Sequence, residues 1–130
     1  MPTLPTSQDL VQKLTATALL GIMEQSARNI LMHAEDLDSE CFFSSRLIRK
    51  GLERQFRQLV DAAAIFPPAL QDLEREIAWE QLGRLSQELR HGTPGKEHWL
   101  QLMDILPAAL LGLKELRQRH PEAFPWNAPP

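Results

Sequence analysis

The chain has 130 residues, 43% of them hydrophobic, which is enough for one domain with a core of its own. Its formal net charge of −3 excludes a protein that coats nucleic acid by bulk charge, although it leaves room for a local basic patch. The single cysteine, the lack of an apolar run of about 18 residues and the absence of a signal-peptide pattern predict a cytoplasmic protein that does not enter a membrane.

Helical periodicity runs through most of the chain, and the alternation typical of strands is missing. Asp38 or Ser39 is the predicted N-cap of the second helix. A phase slip near Trp79 predicts a kink or break in the third region, and Pro107 predicts a bend in the fourth. The four predicted helical regions are Ser7 to Ala34, Ser39 to Ile65, Ala69 to about Arg90, and Lys96 to about Arg119.

Long helices with short connections predict an all-α fold, an antiparallel up-and-down bundle of four to five helices. Residues 1–120 are the predicted single bundle domain, and residues 121–130 form a Pro-rich tail that is extended or disordered. The first helix is apolar on two faces, which predicts burial on both sides, in the bundle or at an interface. These faces are Leu19, Met23, Ala27, Ile30 and Ala34, and Val11, Leu14, Ala18 and Ile22.

The second helix has an apolar side and a basic side. The basic stripe is Arg46, Lys50, Arg54 and Arg57, with Arg49 beside it. Such a stripe is either a solvated face or a track for RNA phosphates or an acidic partner. The apolar side, which we expect to face the core, consists of Ile48, Leu52, Phe56, Leu59 and Ala63.

The third region ends on a cluster of Arg84, Arg90 and His91, before a Gly-Thr-Pro-Gly turn. Six residues separate Arg84 from His91, within the Arg-x(4–6)-His spacing of HEPN-type ribonucleases. From Leu14 to Leu116 the chain resembles the HepT-like branch of the HEPN proteins, helical toxins of prokaryotic toxin–antitoxin pairs. The resemblance is carried, in order, by Phe42-Phe43, Leu59–Ala63, Ile77–Leu82, His91-Gly92, and Trp99 with Asp104–Pro107.

The active motif of this chain is degenerate compared with the family pattern, Arg-Asn-x-x-x-His-Gly-Tyr. His91 and Gly92 match it, whereas Ser86 stands in the place of the arginine. Gln87 stands in the place of the asparagine and Thr93 in that of the tyrosine. Catalysis of the family's kind would therefore need an arginine from a shifted position.

The resemblance implies a homodimer that cuts RNA without a metal cofactor, in a cleft where the two motifs meet. A histidine titrates near neutrality and moves protons, while an arginine faces the charge that builds on phosphoryl oxygens. His91, with Arg84 or Arg90, is therefore the predicted catalytic set. Gln87 and the basic stripe are the predicted substrate contacts.

Plainer interpretations of the same residues stay open. His91 suits a helix C-terminus, where a cation meets the helix dipole favourably. Arg84 suits a surface ion pair with Glu80 or Glu88. His98 and His120 lack metal-ligand spacing, so neither a metal nor another cofactor is predicted.

Three functions remain as alternatives. The first is a HepT-like toxin ribonuclease with a shifted or weakened site. The second is a non-catalytic HEPN-fold module that binds a nucleotidyltransferase-type partner, and the third is an unrelated helical adaptor. A nucleotidyltransferase antitoxin can adenylylate the family's motif tyrosine, but this chain has no tyrosine. Such a partner would have to act by binding, or at another hydroxyl such as that of Thr93.

Overall fold

A computed structural model describes residues 7–35 and 45–124 of the chain. These residues form an all-α bundle without strands, as predicted, and none of their helices is long and apolar enough to cross a membrane. Two 3₁₀ turns, Leu89–His91 and Pro121–Ala123, follow the last two helices. The helices are α1 (Ser7–Glu35), α2 (Arg46–Ile65), the single turn α3 (Pro68–Gln71), α4 (Trp79–Glu88) and α5 (Lys96–Arg119).

The start of α2 differs from the prediction. Ser45 has extended backbone geometry, and its hydroxyl accepts a hydrogen bond from the Ile48 amide at 3.3 Å, so Ser45 is the N-cap. The expected start at Ser39 is therefore wrong, and the predicted caps Asp38 and Ser39 lie outside the described residues. The helix ends at Ile65 because Phe66, which precedes a proline, is extended.

The break predicted near Trp79 is confirmed, since α3 ends at Gln71 and α4 begins at Trp79. The Trp79 indole donates a hydrogen bond to the carbonyl of Glu74 at 2.9 Å and stacks on Phe66 at 4.8 Å between ring centroids. These contacts attach the segment between the two helices to the end of α2. The interruption is thus a packed connection rather than a simple kink.

The core lies between α1, α2, α4 and α5. Its largest buried side chain is Trp99, which is 1% exposed and meets Phe56 edge-on at 4.7 Å between centroids. The predicted tail contributes to this core, because Ala123 and Phe124 are buried and Phe124 approaches Phe66. α5 continues through Pro107, which is exposed to solvent. Of the predicted inner residues, Ala34 and Ile48 are only half-buried. The others are buried: Leu19, Met23, Ala27, Ile30, Leu52, Phe56, Leu59 and Ala63.

α5 packs closely on the segment before α4 at Gly112. A Cβ atom placed at Gly112 would lie 2.6 Å from Cγ1 of Ile77, which is buried. We therefore expect Gly112→Ala to lower the free energy of unfolding by about 1–3 kcal/mol, because an extra methyl forces a well-packed core to shift.

Urea unfolding, followed by helical circular dichroism, measures this effect. Gly83→Ala is the matched control, since nothing lies within 4 Å of a Cβ there. It should leave stability unchanged or raise it by up to about 1 kcal/mol, the helix preference of alanine over glycine. Equal stability of the Gly112→Ala protein and the wild type would contradict the close packing of Ile77.

Candidate functional site

Arg57 fastens α2 to the turn that carries His91. Its Nη1 donates to the carbonyl of Leu89 at 2.6 Å, and its Nη2 donates to the carbonyl of Gly92. Its Nε and Nη2 also donate to Oε1 of Glu53, one helical turn earlier, at 3.3 and 3.1 Å. Carbonyls at a helix end lack partners within the helix, so this set of contacts, the Arg57 clamp, satisfies them from outside.

Because of the Arg57 clamp, the residues of the basic stripe differ in whether they can bind a ligand. Arg57 was predicted as a substrate contact, but its guanidinium is bound to two backbone carbonyls and a carboxylate of its own chain. Arg46, Lys50 and Arg54 are exposed, and no ion pair joins them to a carboxylate in the described part of the chain. These three remain available to an anionic ligand.

Ser86, which stands in the place of the family's arginine, faces α2. It is 6% exposed, and its hydroxyl donates to Oδ1 of Asp61 at 2.6 Å. Since Asp61 meets Ser86 and Arg57 meets Leu89, α2 and α4 run antiparallel. The hydrogen bond between Ser86 and Asp61 thus joins α4 to α2.

The remaining predicted site residues lie at the surface. Arg84 pairs with Glu80 at 3.6 Å, as the i, i+4 spacing predicts, and its side chain is 61% exposed. Gln87, Arg90 and His91 are exposed as well. Among the described residues, no hydrogen bond or ion pair joins His91 to either Arg84 or Arg90. The clamp brings His91 to the basic stripe, but the structure does not join it to an arginine.

Two hollows flank the basic stripe. One, of about 610 Å³, lies between the start of α2 and the Thr93–Pro94 segment. The other, of about 590 Å³, lies between α1 and α2 and has Leu19 and Ile22 in its walls. Lys50 lines both hollows, so the stripe forms the ridge between them.

The sequence did not indicate the contacts of two residues at this site, Arg49 and Asp61. Arg49, which lies beside the stripe in sequence, lines the hollow at Thr93, and its Nε is buried without an acceptor in the described part of the chain. Asp61 holds Ser86. The only sequence signal for Asp61 was its place in the Leu59–Ala63 block, because nothing local connects it to a residue 25 positions away.

A group of carboxylates elsewhere could hold a cation. Oxygen atoms of Glu74, Glu76 and Glu115 lie within 4.8 Å of one another. Arg119 contacts Glu74 at 3.9 Å and Glu115 at 3.7 Å, so a guanidinium already offsets part of this charge. In sequence, this group is separate from the turn that carries His91. The contacts of Arg119 explain it as an ion-pair network.

Comparison of the chain with known protein families, with curated proteins and with solved structures gives no match.

The clamp generates a prediction about stability. Arg57→Ala should lower the free energy of unfolding by about 2–3 kcal/mol, because hydrogen bonds from a charged donor are strong and their removal leaves helix-end carbonyls without a partner. Arg54→Ala, on the exposed side of the same helix, should change it by less than about 0.5 kcal/mol. Chemical unfolding of both variants measures the difference, and equal effects would show that the clamp does not stabilise the fold.

Proposed function

We propose that the protein is a HepT-like member of the HEPN superfamily, belonging to a prokaryotic toxin–antitoxin or defence system, and that it acts on RNA. The observation that supports this best is the placement of an exposed His91 on a turn that Arg57 fastens to the basic stripe of α2. The all-α architecture and the order of the blocks that resemble the family agree with it.

The chemistry we propose is transfer of protons by His91 during metal-independent cleavage of RNA. The imidazole of one protomer accepts the proton of a ribose 2′-hydroxyl, whose oxygen then bonds to the adjacent phosphorus. The bond from phosphorus to the 5′-oxygen breaks, and the imidazolium of the second protomer's His91 donates a proton to that leaving oxygen. The products are a 2′,3′-cyclic phosphate and a 5′-hydroxyl.

An arginine is needed to face the charge on the phosphoryl oxygens. Ser86 cannot do this, because a buried hydroxyl bound to Asp61 carries no charge. Arg90 is the better candidate, since it is exposed next to His91 and has no ion-pair partner in the described residues, whereas Arg84 already pairs with Glu80.

The contact between Ser86 and Asp61 favours a second candidate function, a non-catalytic module that binds RNA or a nucleotidyltransferase-type partner. Where the family pattern has a charged arginine, this chain has a serine whose hydroxyl joins two helices. Exposed Thr93 would then be the hydroxyl nearest in sequence to His91 for a nucleotidyltransferase to modify. Activity measurements separate the two candidates.

If His91 is catalytic, the purified protein should cut RNA in the presence of a chelator and leave 2′,3′-cyclic phosphate or 3′-phosphate ends. His91→Ala should abolish cleavage and any toxicity on expression. Arg90→Ala should slow cleavage by about 10²–10³-fold, the usual effect of removing one group that stabilises the transition state. End-group analysis of the cut RNA provides the measurement.

His33→Ala is the control for this experiment, because His33 is an exposed histidine on α1 that is bonded to the Asn29 carbonyl and lies outside the motif in the sequence. It should cut RNA as the wild type does. A wild-type protein that cuts no RNA, together with equal growth of cells expressing it or the His91→Ala variant, would exclude the nuclease and select the non-catalytic module.

The cleavage we propose requires two protomers, and α1 offers a surface for them. Val11, Leu14 and Ile22, from the second apolar face predicted from the sequence, are between 42% and 60% exposed on this helix, and Leu10 beside them is 42% exposed. Exposed apolar residues grouped on one element are typical of an interface. We therefore propose that a homodimer buries this face.

Light scattering at micromolar concentrations should give the mass of a dimer. Val11→Glu combined with Leu14→Glu should shift it to the mass of a monomer, because charges would be buried without partners. Leu111→Glu, at a 58% exposed leucine on α5, should remain dimeric. A monomeric wild type would rule out this interface.

A further inference from the structure

The hollow beside the motif turn has a cationic wall. Arg46, Arg49 and Lys50, from the first turns of α2, line it on one side, and Thr93 and Pro94 line it on the other. It is concave and has a volume of about 610 Å³, which is large enough for a phosphate group and part of a nucleotide. A convex row of cations suits successive phosphates along an RNA chain, whereas a concave cationic surface suits a single phosphate group.

Among the described residues, no free carboxylate balances the positive charge of this wall. The carboxylate in the lining, that of Glu53, accepts two hydrogen bonds from Arg57. Within the described part of the chain, no carboxylate pairs with the three cationic side chains. Like charges gathered around a cleft strengthen the potential inside it, so the hollow attracts an anion although the whole chain carries a net charge of −3.

Arg49 provides a second, independent observation. Its Nε is buried and has no hydrogen-bond acceptor among residues 7–35 and 45–124, although the residue lines the hollow. A buried donor without an acceptor is unfavourable and uncommon in folded proteins. Phosphate oxygens are acceptors that suit an arginine fork, and lysine binds the same group as a point charge.

We propose that this hollow binds a phosphate group of an RNA chain, through Arg46, Arg49 and Lys50, with the Thr93 hydroxyl as a further donor. The phosphate comes either from the RNA end, as a monoester, or from the backbone, as a diester. The proposal deepens the proposed function and rests on it in one respect, that the ligand is RNA. On this proposal, the cationic side chains of α2 have two roles: Arg46, Arg49 and Lys50 bind the ligand, and Arg57 holds the turn.

The test measures binding apart from cleavage. The probe is a short 2′-O-methyl RNA with fluorescein at its 3′ end, which lacks the 2′-hydroxyl needed for cleavage, prepared with either a 5′-phosphate or a 5′-hydroxyl. Fluorescence anisotropy at several salt concentrations compares the wild type with the double variant Arg46→Gln, Lys50→Gln. The control Arg75→Gln, Lys114→Gln has the same change of charge at exposed positions outside the hollow.

We expect the hollow variant to bind about tenfold more weakly, with a plot of log affinity against log salt that is flatter by about 0.7, because one phosphate of a single strand is no longer neutralised. The control should bind as the wild type does. Both exposed pairs should leave the unfolding transition unchanged, so a weaker binding reports on the surface and not on folding.

The two RNAs assign the source of the phosphate. If the hollow variant no longer prefers the 5′-phosphorylated RNA, the ligand is a terminal monoester, and if it binds both RNAs equally more weakly, the ligand is a backbone diester. Equal affinities of the hollow variant and the control would overturn the proposal. If binding depends on the hollow but the protein cuts no RNA, the phosphate site is supported and the nuclease function is rejected. If the protein cuts RNA but binding does not depend on the hollow, the nuclease function is supported and the phosphate site is rejected.

Discussion

The guanidinium of Arg57 joins α2 to the end of α4, and the arrangement of the candidate site depends on that contact. Its planar fork reaches the carbonyls on both sides of the residues 90–91 that it holds in place. A lysine would present one point charge and could not fix two carbonyls in this geometry. Glu53 orients the fork from one turn earlier and is itself neutralised by it. One side chain thus positions His91 and also leaves the neighbouring hollow positive.

The contact between helices α2 and α4 has a consequence for the chemistry. Ser86 lies on the buried side of α4, where its hydroxyl bonds to Asp61. A long charged side chain at this position would have to displace Asp61 or leave the helix interface. If the protein cuts RNA as we propose, the cation that faces the phosphoryl oxygens must therefore come from a position other than 86.

Sequence periodicity was sufficient to predict the long helices, and the bounds of α5 and the break at Trp79 follow from it. Periodicity did not predict the start of α2, because several serines and aspartates between residues 36 and 45 have side chains that suit an N-cap. The role of Arg57 was hidden for a related reason. Its carbonyl partner Leu89 lies 32 residues away, and an arginine spaced four residues after Glu53 looks like part of a solvated face.

Net charge proved a poor guide to the surface of this protein. A total of −3 excludes coating of nucleic acid, but fields of exposed charges are screened within about 8 Å at physiological salt, so each region acts by its own charges. Among the described residues, Glu74, Glu76 and Glu115 form one acidic group, whereas Arg46, Arg49 and Lys50 line the hollow at the start of α2. An acidic chain can therefore offer a phosphate a positive surface, provided that its carboxylates near that surface are already bound, as Glu53 is.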